Sequence, residues 1–303
     1  MQHCEEGVAT LTVSAVIPVK NRPALIIQAI KSCLGQTAAP DEIIVVDDGS
    51  DDPTPDMVME MARAESRIKL IRRDTSGGAA RARNDGAAQA SGAWLAFLDS
   101  DDRWHEDKTA RQLDLAAQHP DAPAVFCGIR FAYAERKPRI GLPPPIVETR
   151  DLAVSNVLAT TSTALVRKDR FDAVSGFDVD LPTCEDWDLW LKLSKLGPLP
   201  VAQAPLVEYT YEATNKLSRD VTKLMIGHEL VFARISADSA AEGLRRLSAL
   251  HDLKRAELHI RVTGEAMKAL RFIWSALAHA PSAEVLRRAA HLMGLMTAHG
   301  ARL

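Results

Sequence analysis

Two short apolar runs in the first hundred residues each break off into carboxylates. Glu42–Val46 runs into Asp47-Asp48-Gly49-Ser50-Asp51-Asp52, and Trp94–Leu98 runs into Asp99-Ser100-Asp101-Asp102. Apolar runs of this length, bounded by turn residues, read as buried strands, and the polar break marks each strand's C-terminal end. Leu11–Ile17, rich in Val, Ile and Thr, reads as an earlier strand stopped by Pro18. Helical spacing fills the gaps. Leu25, Ile26, Ala29, Ile30, Cys33 and Leu34 precede Gly35, Met57–Ala64 fits a second helix, and Ile68–Ile71 reads as a strand. A third helix starts near Ala79, after the loop Asp74–Gly78, and ends around Ser91-Gly92. Such alternation predicts an α/β fold with a mostly parallel sheet covered on both faces. Its loops leave the C-terminal strand ends, where open α/β sheets bind ligands.

The acids at Asp99, Asp101 and Asp102 are costly to ionise together, because each opposes the charge on the others. A divalent cation compensates them. Ligands made only of oxygen favour Mg²⁺ or Mn²⁺, which keep several waters and share their coordination with substrate phosphates. On the residues alone this reading stands beside a plainer one, a solvated acidic loop that closes a strand.

A chain of 303 residues, 47% of them hydrophobic, can bury one large core, or one core and a helical appendage. Its formal charge of -3 argues against a nucleic-acid binder that works by neutralising phosphates. Cys4, Cys33, Cys127 and Cys184 lie far apart with no Cys-x-x-Cys pair, so reduced, cytosolic thiols are expected rather than a thiolate metal site or a disulfide scaffold. Met1–Glu6 is acidic where a secretion signal is basic. No apolar run approaches the roughly 18 residues that span a bilayer. The expectation is a soluble, cytoplasmic protein, attached to a membrane peripherally at most.

Beyond Asp102 the alternation fails. Asp107–His119 is expected to be helical and Ala124–Ala134 a strand, while Pro138, Pro143, Pro144 and Pro145 make Arg136–Val147 a surface loop. That loop reads as a lid or as a plain connector. Ser162–Val166 reads as a strand followed by a helix start near Arg167. Thr183–Leu193 opens with Glu185, Asp186 and Asp188 and continues with Leu189, Trp190 and Leu193 at helical spacing. The helix dipole and capping account for part of that acidity. Leu199–Val207 gives a final strand or two, broken by Pro200 and Pro205.

From Lys216 onward, Leu224, Met225, Leu230, Val231 and Ile235 recur at helical intervals, which divides the chain into a domain over 1–215 and a helical region over 216–303. His228, His251 and His259 show no metal-ligand spacing and read as surface residues. Leu270–Trp274 and Leu286–Met293 mix basic and apolar residues at helical spacing. Packing on the catalytic domain or a partner is the favoured reading, because the apolar faces are no larger than core faces. Contact with a membrane surface is the other.

Taken in order, six segments closely resemble the family 2 glycosyltransferases. They are Val16-Ile17-Pro18-Val19-Lys20-Asn21, Gln36-Thr37, Glu42–Ser50, Ala82-Arg83-Asn84-Asp85-Gly86, Phe97–Asp102 and Glu185-Asp186-Trp187-Asp188, and the resemblance covers roughly Thr12 to Tyr211. It implies a GT-A fold, Rossmann-like and mostly parallel, and inverting transfer of a sugar from a nucleotide donor, a UDP-sugar, to a hydroxyl. The acceptor it implies is a saccharide or a lipid-linked saccharide in surface polysaccharide or glycoconjugate synthesis, met at the inner face of the cytoplasmic membrane. Residue by residue, it implies that Pro18, Lys20 and Arg22 line the base and ribose site, and that Asp48, with Asp47 beside it, accepts a hydrogen bond from the uracil N3–H. Asp99 then lies near the ribose, Asp101 on a Mn²⁺ or Mg²⁺ ion bridging the phosphates, and Asp102 in support. Arg83, with Arg81, touches phosphate or braces these acids, against the plain reading of a solvated helix face.

Asp186 is implied as the general base, with the like charge of Glu185 raising its pKa. The family's Tyr-Arg-x-His segment corresponds to Tyr209–Asn215, which holds no histidine. Two competing readings are a sugar-nucleotide nucleotidyltransferase and a non-catalytic nucleotide-sugar-binding protein. The first is expected to open on a glycine-rich phosphate loop, and Val16–Pro23 contains no glycine; Asp101 and Asp186 argue against the second.

Overall fold

The computed structural model describes residues 11–133, 137–211, 221–237, 241–260 and 264–300. Met1–Glu6, Cys4, the expected break at 215/216 and the stretch Glu212–Asn215 lie outside them.

The first hundred residues form β1 (Val13–Val19), α1 (Pro23–Leu34), β2 (Glu42–Asp47), α2 (Thr54–Ala64), β3 (Ile68–Arg72), α3 (Ala79–Gln89) and β4 (Trp94–Phe97). β1 pairs in parallel with β2 and β4, and β2 with β3. Every residue of β1 and β2 is buried, which is why each reads as a continuous apolar run rather than an alternating one. Because these strands are parallel, the loops after β1, β2 and β4 emerge on one sheet edge.

There follow β5 (Asp102–Trp104), α4 (Lys108–Gln118), β6 (Ala124–Tyr133), β7 (Arg139–Gly141), β8 (Ile146–Val147), α5 (Thr149–Leu152), β9 (Leu165–Arg167), α6 (Lys168–Ala173), α7 (Glu185–Ser194) and β10 (Leu199–Tyr211). The sheet runs β3-β2-β1-β4-β9-β6-β10-β5, with β7 on β6 and β8 on β10. β9 is antiparallel to both β4 and β6, and β10 is parallel to β6. Four more helices follow among the described residues: α8 (Val221–Ala237), α9 (Ala241–Leu258), α10 (Ala266–His279) and α11 (Ala283–Gly300). No helix among the described residues is long and apolar enough to cross a membrane.

The structure corrects several expectations, mostly at prolines. Pro18 does not stop β1. Val16 O accepts from Leu98 N on the β4 side and Val19 O from Asp48 N on the β2 side, so Pro18 turns its missing N–H towards β4, beyond the last paired residues, Val16 and Phe97. Pro200 and Pro205 do not break β10, because Pro205 sits between two register shifts in the ladder with β6. Arg136–Val147 is not all loop: β7 fits between Pro138 and Pro143, and β8 follows Pro145. Ser162 is no strand residue but part of a 3-10 turn, Thr161–Thr163, that precedes β9.

Glu42 anchors the opposite end of β2 from the acids. Its buried carboxylate accepts from Ser14 Oγ at 2.6 Å, Lys69 Nζ at 2.6 Å, and the Ser91 N and Oγ at 2.7 Å each. Burial opposes the charge, but these donors outweigh it and hold the carboxyl at about 2, down from 4.5. A depressed carboxyl pKa stabilises the fold above the unfolded value, and that stability is lost as pH falls from 4.5 towards 2. Glu42→Gln is therefore expected to cost about 2 kcal/mol in urea unfolding at pH 7, with the deficit shrinking as the pH approaches 2.

Gly86 lets α3 lie close on the sheet: a Cβ there would come 2.5 Å from Val16 Cγ1 and 3.1 Å from Val46 Cγ2. The same helix carries Arg83.

The chain forms two compact units, one of Met1–Glu148, Leu158–Val179 and Lys192–Glu212, the other of Thr149–Val157, Asp180–Leu191 and Ala213–Leu303. The second has its own core, in which Leu250, Leu253, Ile260, Ile273, Val285 and Leu292 meet and Val154 packs against them. His228, His251 and His259 are buried there, not on the surface as expected. His228 lies 4.6 Å from the Trp187 ring, His251 stacks on Phe232 at 3.7 Å and His259 on Phe272 at 5.6 Å. Burial pushes His228 down to about 3 and His251 to about 4, so both are neutral rings that pack as aromatics.

Candidate active site

The three parallel strand ends of the first unit bring together most of the residues singled out above. After β1, Lys20 is exposed and Asn21 takes a positive φ of 52°. Asn21 N donates to Ser50 Oγ at 2.9 Å and its side-chain amide to Asp51 at 2.7 Å, which ties the β1 loop to the β2 loop. Pro18 is buried in β1, and Arg22 opens α1 with its guanidinium 3.0 Å from Asp101 and 3.3 Å from Ser100 Oγ.

Asp47 is wholly buried and accepts from Ser50 N, while Arg72 Nε lies 3.4 Å away. Asp48 reaches the loop before α3. It accepts from Gly77 N at 2.8 Å, Gly78 N at 2.9 Å and Ser76 Oγ at 2.6 Å, and pairs with Arg73 Nε at 3.0 Å. Gly49, at φ +72°, permits this close approach, since a Cβ there would lie 3.2 Å from Ser76 N. A nucleobase N–H that donated to Asp48 would share oxygens that here organise the 76–78 loop.

Asp99, after β4, is clamped from two sides. Arg83 Nη2 stands 2.6 Å from its Oδ1, and Thr161 Oγ1 and Thr160 Oγ1 donate at 3.1 Å each. Burial works against the charge on Asp99, yet Arg83 and the threonines prevail and hold its carboxyl below the usual range. Arg83 is itself buried and lies 5.4 Å over the Phe177 ring, so it braces the acids, while Arg81 on the same helix stays exposed. Asp102 is 1% exposed and accepts from Ser162 Oγ at 2.6 Å; the same hydroxyl accepts from Asp99 N at 3.0 Å.

The expected trio of metal ligands is therefore not assembled as one cage. Among the described residues no group of three or more His, Cys, Asp or Glu side chains is arranged to hold a metal. Asp99 and Asp102 turn to Arg83 and Ser162 instead. Asp101 fits: its carboxylate is partly exposed and pairs with Arg22 Nη1 at 3.0 Å, and one carboxylate completed by phosphates and water suits Mg²⁺ or Mn²⁺.

Asp186 and Glu185 belong to the second unit, on the first turn of α7. Asp186 Oδ1 accepts from Trp187 N at 2.7 Å and Oδ2 from Asn156 Nδ2 at 2.8 Å. Cys184, at φ 65°, sets the entry to the helix. Asp188 pairs with Arg234 of α8 at 2.6 Å, and Thr183 Oγ1 donates to Lys223 O at 2.9 Å. Sequence reading missed Asn156, Thr160, Thr161, Ser162 and the Ser76–Gly78 loop. One signal was present, the unbroken hydroxyl run Thr160-Thr161-Ser162-Thr163, which is out of place in a buried strand.

Residues 14–172 match the sequence profile of glycosyl transferase family 2. The chain belongs to this family of glycosyltransferases. TuaG of Bacillus subtilis, named for teichuronic acid biosynthesis, is 29% identical over 191 residues, which are 61% of this chain and 73% of TuaG. The Escherichia coli UDP-Glc:alpha-D-GlcNAc-diphosphoundecaprenol beta-1,3-glucosyltransferase WfgD is 43% identical over 103 residues, 34% of this chain and 40% of WfgD. The chain thus spans well under half of WfgD.

Two solved structures share the fold. Staphylococcus aureus TarS 1-349 in complex with UDP-GlcNAc superposes with a TM-score of 0.63 at 19% identity, covering 88% of this chain and 81% of that one. The Pyrobaculum calidifontis mannosyltransferase PcManGT, in complex with GDP-Man and Mn²⁺, superposes at 0.59 and 21% identity over 93% and 79%. This family 2 glycosyltransferase accordingly has the GT-A fold, a mixed, mostly parallel sheet flanked by helices and followed by a helical C-terminal region.

Proposed function

We propose that this glycosyltransferase moves a sugar, with inversion, from a UDP-sugar to a hydroxyl of a saccharide or lipid-linked saccharide in polysaccharide synthesis. The observation that carries the reading is the partly exposed Asp101 beside the clamped Asp99, on the sheet edge where β1, β2 and β4 also deliver Arg22 and Asp48. TarS in complex with UDP-GlcNAc and the UDP-glucose donor in WfgD's name support the nucleotide, and WfgD's diphosphoundecaprenol acceptor supports a lipid-linked one.

In this reading Asp101 holds Mn²⁺ or Mg²⁺, and when bound the ion supplies Lewis-acid stabilisation of the departing diphosphate. Pro18 and Lys20, with Asp47 and Asp48, form the base and ribose side, and Asp99, kept ionised by Arg83, orients the ribose. Asp186 removes the acceptor proton as the hydroxyl attacks the anomeric carbon from the face opposite UDP. Glu185 adds negative potential beside it. Met267 and Trp274, 74% and 68% exposed on α10 with Arg271 between them, support peripheral contact with the cytoplasmic face of a membrane that carries such acceptors.

The test is incubation with Mn²⁺ and a panel of nucleotide sugars, followed by assay of the products. Release of UDP is the expected result. Release of pyrophosphate would point to nucleotidyl transfer, and binding without turnover to a non-catalytic protein.

A further inference from the structure

We propose that Asn156 is a positioning residue for sugar transfer, holding the Asp186 carboxylate in the orientation that receives the acceptor proton. The inference rests on Asp186 being the general base. The two residues lie thirty apart in sequence but touch within one unit, with Asn156 Nδ2 2.8 Å from Asp186 Oδ2. The other oxygen accepts the N–H of Trp187 at 2.7 Å. A donor on each oxygen fixes the rotation of the carboxylate plane, a torsion that is otherwise broad. A carboxylate oxygen has two lone pairs, so accepting one N–H does not by itself use up its acceptor capacity.

The contact is built rather than incidental. Trp187, 1% exposed, donates its indole N–H to Leu152 O at 2.7 Å and so fastens the 149–157 segment to the start of α7. Val154 packs into the core of the C-terminal helices. At and just before the start of α7, Arg234 holds Asp188 at 2.6 Å and Thr183 Oγ1 donates to Lys223 O at 2.9 Å. Asn156 and Asp186 therefore approach one another from separately secured pieces of chain. Both are only half-buried, so water could serve either polar group and burial alone does not demand the pair. What the amide adds is aim.

Kinetics on the full chain test this, with UDP-glucose as donor, a GlcNAc-diphosphate lipid as acceptor, and Mn²⁺. Asn156→Ala is expected to lower kcat by about 10- to 100-fold, the scale of a misplaced catalytic group, with KM for UDP-glucose and Kd for UDP changed less than about twofold. Asn156→Asp keeps the shape, removes the donor and sets a like charge against Asp186, so its kcat should fall at least as far. In an Asp186→Asn background, Asn156→Ala should cause no further loss, because the group it aims is gone. An Asn156→Asp enzyme with wild-type kcat, or an Asn156→Ala loss that persists undiminished in the Asp186→Asn background, overturns the proposal. Wild-type transfer by Asp186→Asn alone overturns the base assignment itself, a distinct result.

Discussion

Asp186→Asn is expected to reduce sugar transfer by about a thousandfold or more while UDP binding stays within about twofold of wild type. The two effects separate because the residues proposed to meet the nucleotide and those around Asp186 belong to different stretches of chain. Asp48 and Asp99 are held by the 76–78 loop, Arg83 and the 160–163 turn, whereas Asp186 is held by Asn156 and Trp187. Asparagine keeps the shape and can still accept from Trp187 N, but it cannot take a proton, so the helix start should survive while the chemistry fails. Steady-state transfer and UDP calorimetry on the same preparation check it. Transfer at the wild-type rate would remove Asp186 from the mechanism.

Asp101→Ala is the second large expectation, of a different kind. Loss of the carboxylate that fits the cation should abolish the gain in UDP affinity brought by Mn²⁺ and cut transfer by about a hundredfold or more. Arg22 loses the counter-charge 3.0 Å away in this variant, and the removed carboxylate no longer repels the diphosphate, so metal-free binding of UDP should be preserved or slightly stronger. Titrating UDP with and without Mn²⁺ separates the two contributions. A variant whose affinity still rises with Mn²⁺ as wild type does would move the cation away from Asp101. Arg83 should not substitute, because it is buried and already paired with Asp99.

Periodicity alone determined much of this protein. Wholly buried strands such as β1 and β2 advertise themselves as continuous apolar runs, and the acids that follow them stand at the sheet edge because parallel strands share one direction. The ordered segments from Val16 to Asp188 resemble the family's motifs in order and spacing, and the match over 14–172 agrees. These features are local in sequence, which is why they are legible there.

What tertiary structure decided is which partner each charge finds. A row of Asp99, Asp101 and Asp102 looks like one ligand set, yet Arg83, Arg22 and Ser162 divide it among three different contacts. Three histidines that look like surface residues became packed rings, and Pro18 and Pro205 were admitted into strands because a ladder ended or slipped beside them. The Asn156–Asp186 hydrogen bond spans thirty residues and belongs to the same unit as the C-terminal helices, a grouping that a division at 215/216 does not contain. Hydrophobic period is a property of neighbours along the chain, whereas the pairing of a buried charge or amide depends on groups that only folding brings within about 3 Å.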